Sequence, residues 1–300
     1  MAEAEWRLHI GAHKTATTHL QDTLAAMADA LAAQGVAYLP RDAVRPILQK
    51  HLWRPNWRYQ FGGAAFERGI AEDLAALSGL PVRIVSEENI LGRCAQILDA
   101  QPYPRLEQRV PQIVRGMAEG APVRLFLSIR CFAGLAPGAY AEGLHLRQCR
   151  PCYLTAFRER ITEAPPRWTG IVDRLRAALP DTPITIWRQE DYGDHASHII
   201  AALTGLPRAV FDDMPDLPPP QITQTPSAAA VVDMEGRYRR FQPKAAWRAE
   251  TAAIVRAMPV SDRFPKFDPL LDAEKAALQA AYAEDWAALA QMDGVTRITV

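Results

Sequence analysis

The residues best suited to chemistry lie near the start of the chain, in Gly11-Ala12-His13-Lys14-Thr15-Ala16-Thr17-Thr18. An apolar segment precedes them and an amphipathic one follows. This is the setting of an anion site. The first N–H groups of a helix lack intrahelical partners and carry the positive end of the macrodipole. Lys14 adds a full charge, and Thr15, Thr17 and Thr18 add hydroxyl donors. Lys14 comes only three residues after Gly11. The loop that wraps a nucleoside triphosphate, G-x-x-x-x-G-K-[ST], is longer and has a second glycine. A shorter loop suits a shorter anion. No convincing strand ends in the aspartate that would help to hold magnesium in triphosphate enzymes. That favours metal-free transfer from a compact anhydride.

Such a loop must be positioned by a buried strand before it and a helix after it. Arg7 to Ile10 has the strand character, and four more segments share it: Val36 to Leu39, Val82 to Val85, Val123 to Ile129 and Ile184 to Trp187. Each is rich in β-branched or aromatic residues. Leu20, Leu24, Met27 and Leu31 recur at helical spacing on one face, and Gly35 ends that helix. Strand and helix in repetition predict an α/β fold, a central parallel sheet with helices on both faces. The long crossover between Leu39 and Val82 holds Trp53, Trp57, Tyr59 and Phe61. It reads either as a substrate-facing insertion or as an aromatic-packed crossover. Pro207 to Pro226 reads as an extended loop. Beyond it the pattern is mainly helical, with Leu278, Tyr282, Trp286 and Leu289 at helical spacing. One domain over residues 1–300 is expected, with 207–300 as a loop and a helical C-terminal region packed onto it.

Composition narrows the class. The 300 residues are 49% apolar, and 34 Lys and Arg balance 34 Asp and Glu. A nucleic-acid partner usually calls for a basic excess, which is absent here. The N-terminus has neither a basic nor an apolar leader region, and no window reaches the roughly 18 apolar residues of a membrane span. A soluble, cytoplasmic protein is expected. Cys149-Arg150-Pro151-Cys152 is a lone C-x-x-C without a second pair of ligands, so all four cysteines are read as free thiols.

The first loop resembles the phosphosulfate-binding loop of the sulfotransferases that use 3′-phosphoadenosine-5′-phosphosulfate, bacterial members especially, which reads approximately G-x-x-K-[TS]-G-[TS]-T. Strand, loop and helix all stand in place. The resemblance implies a P-loop three-layer α/β/α fold. It implies donor contacts from Gly11, Ala12, His13, Lys14, Thr15, Ala16, Thr17 and Thr18, with Lys14 at the bridging oxygen. Ala16 replaces the usual glycine and would be strained if that position needs a positive φ. Arg130, ending the strand Val123 to Ile129, matches the family's arginine for the nucleotide 3′-phosphate. Gly138 stands where the family's helping serine would be and offers only a backbone N–H, while Tyr140 matches a tyrosine often found there. Ser86-Glu87 resembles the Ser-Glu of many bacterial members. Glu87 is the first choice for the base that takes the acceptor proton, with Glu88, His13 and His19 as rivals. Ile184 to Tyr192, Leu203 to Leu206, Phe264 to Phe267 and Tyr282 to Trp286 resemble later family segments. The R-K-G-x-x-G-D-W pattern of animal cytosolic members is absent.

The reading is therefore sulfuryl transfer from this donor, as co-substrate and without a metal, to a hydroxyl or amine of a small molecule, lipid or carbohydrate. The acceptor and the oligomeric state stay open. The rivals are a P-loop small-molecule kinase and a nucleotide-binding protein on the same scaffold that has lost catalysis.

Overall fold

The structure is a computed structural model that describes residues 4–53, 64–118, 121–161, 163–212, 225–239 and 243–299, with the backbone course alone for 52, 53 and 64–68. Six strands form one sheet: β1 (Glu5–His9), β2 (Val36–Leu39), β3 (Val82–Ser86), β4 (Val123–Ile129), β5 (Ile184–Arg188) and β6 (Val295–Arg297). Every pairing is parallel, in the order β2-β3-β1-β4-β5-β6. Side chains alternate across the sheet, so each strand feeds two cores. Leu8, Val85, Leu125, Leu127 and Ile186 face one of them. Tyr38, Ile84, Phe126 and Trp187 face the other.

Helices cover both faces. The second core is closed by α1 (Thr17–Ala26), α2 (Ala28–Ala33) and α9 (Gln189–Thr204), through residues such as Leu20, Leu31 and Ile200. The first core is closed by α3 (Arg41–Leu48), α4 (Ala64–Ala75), α5 (Leu106–Ala118), α6 (Phe132–His145), α7 (Tyr153–Ile161) and α8 (Trp168–Ala178). The C-terminal helices α10 (Ala228–Arg237), α11 (Lys244–Ala257) and α12 (Asp272–Leu289) join that same core through Val231, Trp247 and Leu278.

After β1 the chain moves outward past β3 to the β2 edge, and from β4 it proceeds the other way. The order therefore reverses between β1 and β4. Such a reversal point is the usual ligand position in open α/β sheets. Lys14 follows β1 and Arg130 follows β4.

All five expected strands are present. The sixth, Val295–Arg297, was not expected, because three partly exposed residues are too short to show alternation. The expected helix through Leu31 is broken at Met27, where φ is −98° and ψ is 7°. Leu20, Leu24, Met27 and Leu31 nevertheless pack in one core. Of the aromatic crossover, Trp53 ends a single π-helical turn, Gln49–Trp53, and Trp57, Tyr59 and Phe61 lie outside the described residues. The Pro-rich segment begins with a 3₁₀ turn at Arg208–Phe211, and residues 213–224 lie outside the described residues. Cys94, Cys131, Cys149 and Cys152 are all free thiols. Among the described residues no helix is long and apolar enough to cross a membrane.

Candidate functional site

The loop between β1 and α1 takes an unusual backbone path. Gly11, Lys14 and Ala16 all have positive φ, at 72°, 64° and 62°. Gly11 has no alternative, since a Cβ there would sit 2.6 Å from Glu88 Cβ. Ala16 is the N-cap of α1 and lies in the left-handed region without any side-chain cap. The position does require positive φ, and alanine bears it. Bonds from β4 hold the path: Ala12 N–H donates to the Ser128 carbonyl at 2.7 Å, and Arg130 donates to the Lys14 carbonyl at 2.9 Å. Among the described residues none accepts from the amides of Ala16, Thr17, Thr18 or His19. They form an open row at the positive end of α1.

The threonines divide their work differently from the expectation that all three serve as donors. Thr15 is buried and donates to the Ala12 carbonyl at 2.6 Å. Thr17, also buried, reaches the same carbonyl at 3.4 Å. Both hydroxyls support the loop from within, and Thr18 is exposed. Lys14 extends toward α6 and pairs with Glu142. Burial alone would raise the Glu142 carboxyl, but the Lys14 ammonium beside it holds it below the ordinary carboxylate range. Glu142 is a residue that sequence reasoning missed. Its only signal is its place one helical turn after Gly138.

Gly138 sits under the lysine. A Cβ there would lie 3.1 Å from Thr225 Oγ1 and 3.6 Å from Lys14 Cε. Its amide falls inside α6, where the helical ladder uses it. The expected backbone donor is therefore not free, and the missing side chain instead gives room to the Lys14 stem. Tyr140 is buried and turns away from the loop, its hydroxyl reaching the Pro151 carbonyl at 2.8 Å. Arg130 borders a cleft of about 350 Å³ together with Arg188, Glu190, Gln279, Tyr282 and Trp286. The cleft lies beyond the ends of β4 and β5 and is closed by α12. Glu190 accepts from the Cys131 amide and from Tyr282, both at 2.9 Å, which ties the helix start to α12.

The acidic pair after β3 splits into two roles. Glu87 is fully buried and accepts from Arg45 at 2.6 Å and from the Asn89 amide at 3.0 Å, capping a 3₁₀ turn. Glu88 stands against Gly11, and its Oε2 is buried without a hydrogen-bond partner. Burial, with the Glu87 charge beside it, pushes the Glu88 carboxyl up to about 7. His13 Nδ1 meets the Tyr103 hydroxyl at 2.9 Å, and its Nε2 has no hydrogen-bond partner. Burial takes His13 down to about 4, so its ring is neutral at pH 7. His19 leaves the loop and meets the Tyr192 hydroxyl at 3.0 Å.

Sequence reasoning missed His9 and Ser128, and it singled out Ser86 only as part of Ser86-Glu87. The three lie side by side at the C-terminal ends of β1, β3 and β4, under the loop. His9 pairs in register with Ser86, and Ser128 lies two residues past its other partner, Phe126. All three are buried.

No protein-family model matches the chain, and no curated protein matches it.

Two outcomes follow from this geometry. Ala16→Gly removes a left-handed alanine and should stabilise the fold by about 0.5–1 kcal/mol, read as a raised melting temperature. Glu142→Gln frees the Lys14 ammonium and should tighten binding of inorganic pyrophosphate by roughly three- to tenfold in low-salt calorimetry. Unchanged affinity would show that the Lys14–Glu142 pair does not compete with anions.

Proposed function

We propose that this protein is a sulfotransferase that moves a sulfuryl group from 3′-phosphoadenosine-5′-phosphosulfate to a hydroxyl or amine of a small-molecule, lipid or carbohydrate acceptor. One observation carries the reading. An open row of amides, Ala16 to His19, lies beside Lys14 on a loop too short for a triphosphate, where the sheet order reverses. The amides and the ammonium favour a compact dianion. As the bond between sulfur and the bridging oxygen breaks, negative charge grows on that oxygen, and Lys14 is the cation to stabilise it. The nucleoside end is assigned to the adjoining cleft, with Arg130 and Arg188 for charge and Trp286 for an aromatic face.

The acceptor's proton is assigned to the Glu87–Glu88 pair. Glu87 is committed to Arg45 and Asn89. Glu88 has the unsatisfied oxygen and a proton affinity near neutrality, so it is favoured as the base over the first choice, Glu87. His13, within the loop, is neutral and is assigned as a donor contact rather than a charge. A second reading, donor binding without turnover, draws on the Lys14–Glu142 pair and the left-handed Ala16. It differs from the first in giving ligand-induced stabilisation but no transfer to any acceptor.

The deciding measurement is a thermal-shift comparison. Desulfated donor, 3′-phosphoadenosine-5′-phosphate, at a hundredfold excess over its Kd should stabilise the fold by about 2.7 kcal/mol. Lys14→Ala should lose most of that shift and all transfer while staying folded. Stabilisation by ATP with magnesium and not by the desulfated donor would replace this reading with a kinase. For the base, kcat/KM should rise with pH through about 7 as Glu88 loses its proton. In Glu88→Gln that rise should vanish with at least about a hundredfold loss of rate; a retained rise would move the role elsewhere.

A further inference from the structure

A file of buried polar side chains runs beneath the anion loop, and its proton order follows from one end. Thr15 Oγ1 lies 2.6 Å from the Ala12 carbonyl oxygen. A carbonyl only accepts, so the single hydroxyl proton of Thr15 is committed there. Ser128 Oγ is 2.5 Å from Thr15 Oγ1 and must therefore donate to it. With that proton used, the 3.1 Å contact between Ser128 Oγ and His9 Nε2 requires the proton to sit on Nε2. A neutral imidazole protonated at Nε2 has a bare Nδ1. Ser86 Oγ, 2.8 Å away, donates to it. His9 is fully buried and stacks on Trp187 with ring centroids 5.0 Å apart.

We infer that Ser86, His9, Ser128 and Thr15 form a one-way hydrogen-bond file, with His9 fixed as the neutral Nε2–H tautomer, and that this file positions the anion loop. The positioning part rests on the reading of the loop as an anion site. The file ends on the Ala12 carbonyl, which it turns inward, below the loop. The backbone beyond Ala12 then turns through the left-handed Lys14 and Ala16, and among the described residues none accepts from the amides of Ala16 to His19. A protonated His9 would present two donors, and Ser86 would have to reverse. Burial opposes that charge and takes the ring's pKa down to about 3.

The file and a simple packing role predict opposite variant orders. His9→Gln keeps a donor near the Nε2 position and loses the ring. His9→Phe keeps the ring against Trp187 and loses both polar contacts. The file predicts that 3′-phosphoadenosine-5′-phosphate binds His9→Gln within a fewfold of wild type and binds His9→Phe roughly tenfold or more weakly. Packing predicts the reverse, and that result would overturn the positioning role. Ser128→Ala, checked for folding by circular dichroism, carries the same test should His9→Phe not fold; unchanged affinity there also overturns it.

Nitrogen NMR of the labelled imidazole supplies an arm that needs no ligand. A bare Nδ1 and a protonated Nε2, unchanged between about pH 5 and 8, are expected from the fixed proton order and the depressed pKa. A protonated Nδ1, or titration in that range, overturns the file. If wild type binds neither the desulfated donor nor inorganic pyrophosphate, the anion-site reading fails and the positioning role fails with it. The tautomer result then still decides the proton order.

Discussion

Between Gly11 and Ala16 the backbone enters the left-handed region three times, and only the first of those residues is a glycine. Holding lysine and alanine there costs roughly 1–2 kcal/mol each, so the path does not persist on local preference. It persists because β4 holds it at two points, the Ser128 carbonyl and the Arg130 guanidinium. Strain of this kind survives where the surroundings over-determine a conformation. The open amides of α1 and the direction of Lys14 both descend from this clamp. The site is thus a property of the β1–β4 pair rather than of the loop alone.

The same clamp explains the polar content of the interior. Buried polar groups need partners, and beneath the loop the partners are arranged in series across β3, β1 and β4. To the side, the charges come in compensated sets: Lys14 with Glu142, and Glu87 with Arg45. Partial burial makes each charge count for more than it would in water. Two adjacent carboxylates differ in their partners. Glu87 has a guanidinium and an amide on it. Glu88, with one oxygen unpartnered, holds its proton to near neutrality.

The cleft beside Arg130 draws on a different part of the chain. Tyr282 and Trp286 reach it from α12, near the C-terminus, and Arg188 reaches it from the end of β5. Arg188 packs over the Trp286 ring at 5.1 Å and pairs with Asp191 at 2.8 Å. Helix α12 therefore both closes the first core and walls the cleft beside Arg130. That double use explains why residues far apart in the chain line one cleft.

By itself the sequence determined the alternation of strand and helix, the position of the loop on the first strand, and the three-residue step from Gly11 to Lys14. These are local. A period of two or of 3.6 residues, and the conformational limits of glycine, are written in consecutive residues. It could not determine which neighbour each functional group would meet. Gly138 was read as a donor beside Arg130, and the packing of α6 set it under Lys14, with its amide inside the helix and Glu142 one turn further on. Sequence alone makes Glu87 the first choice for the base, and the crossing of α3 brings Arg45 onto it. His9 looked like an ordinary strand residue until register set Ser86 and Ser128 on either side. Periodicity names the face a side chain takes, but the partner on that face is supplied by another element, and only the tertiary structure decides which one arrives.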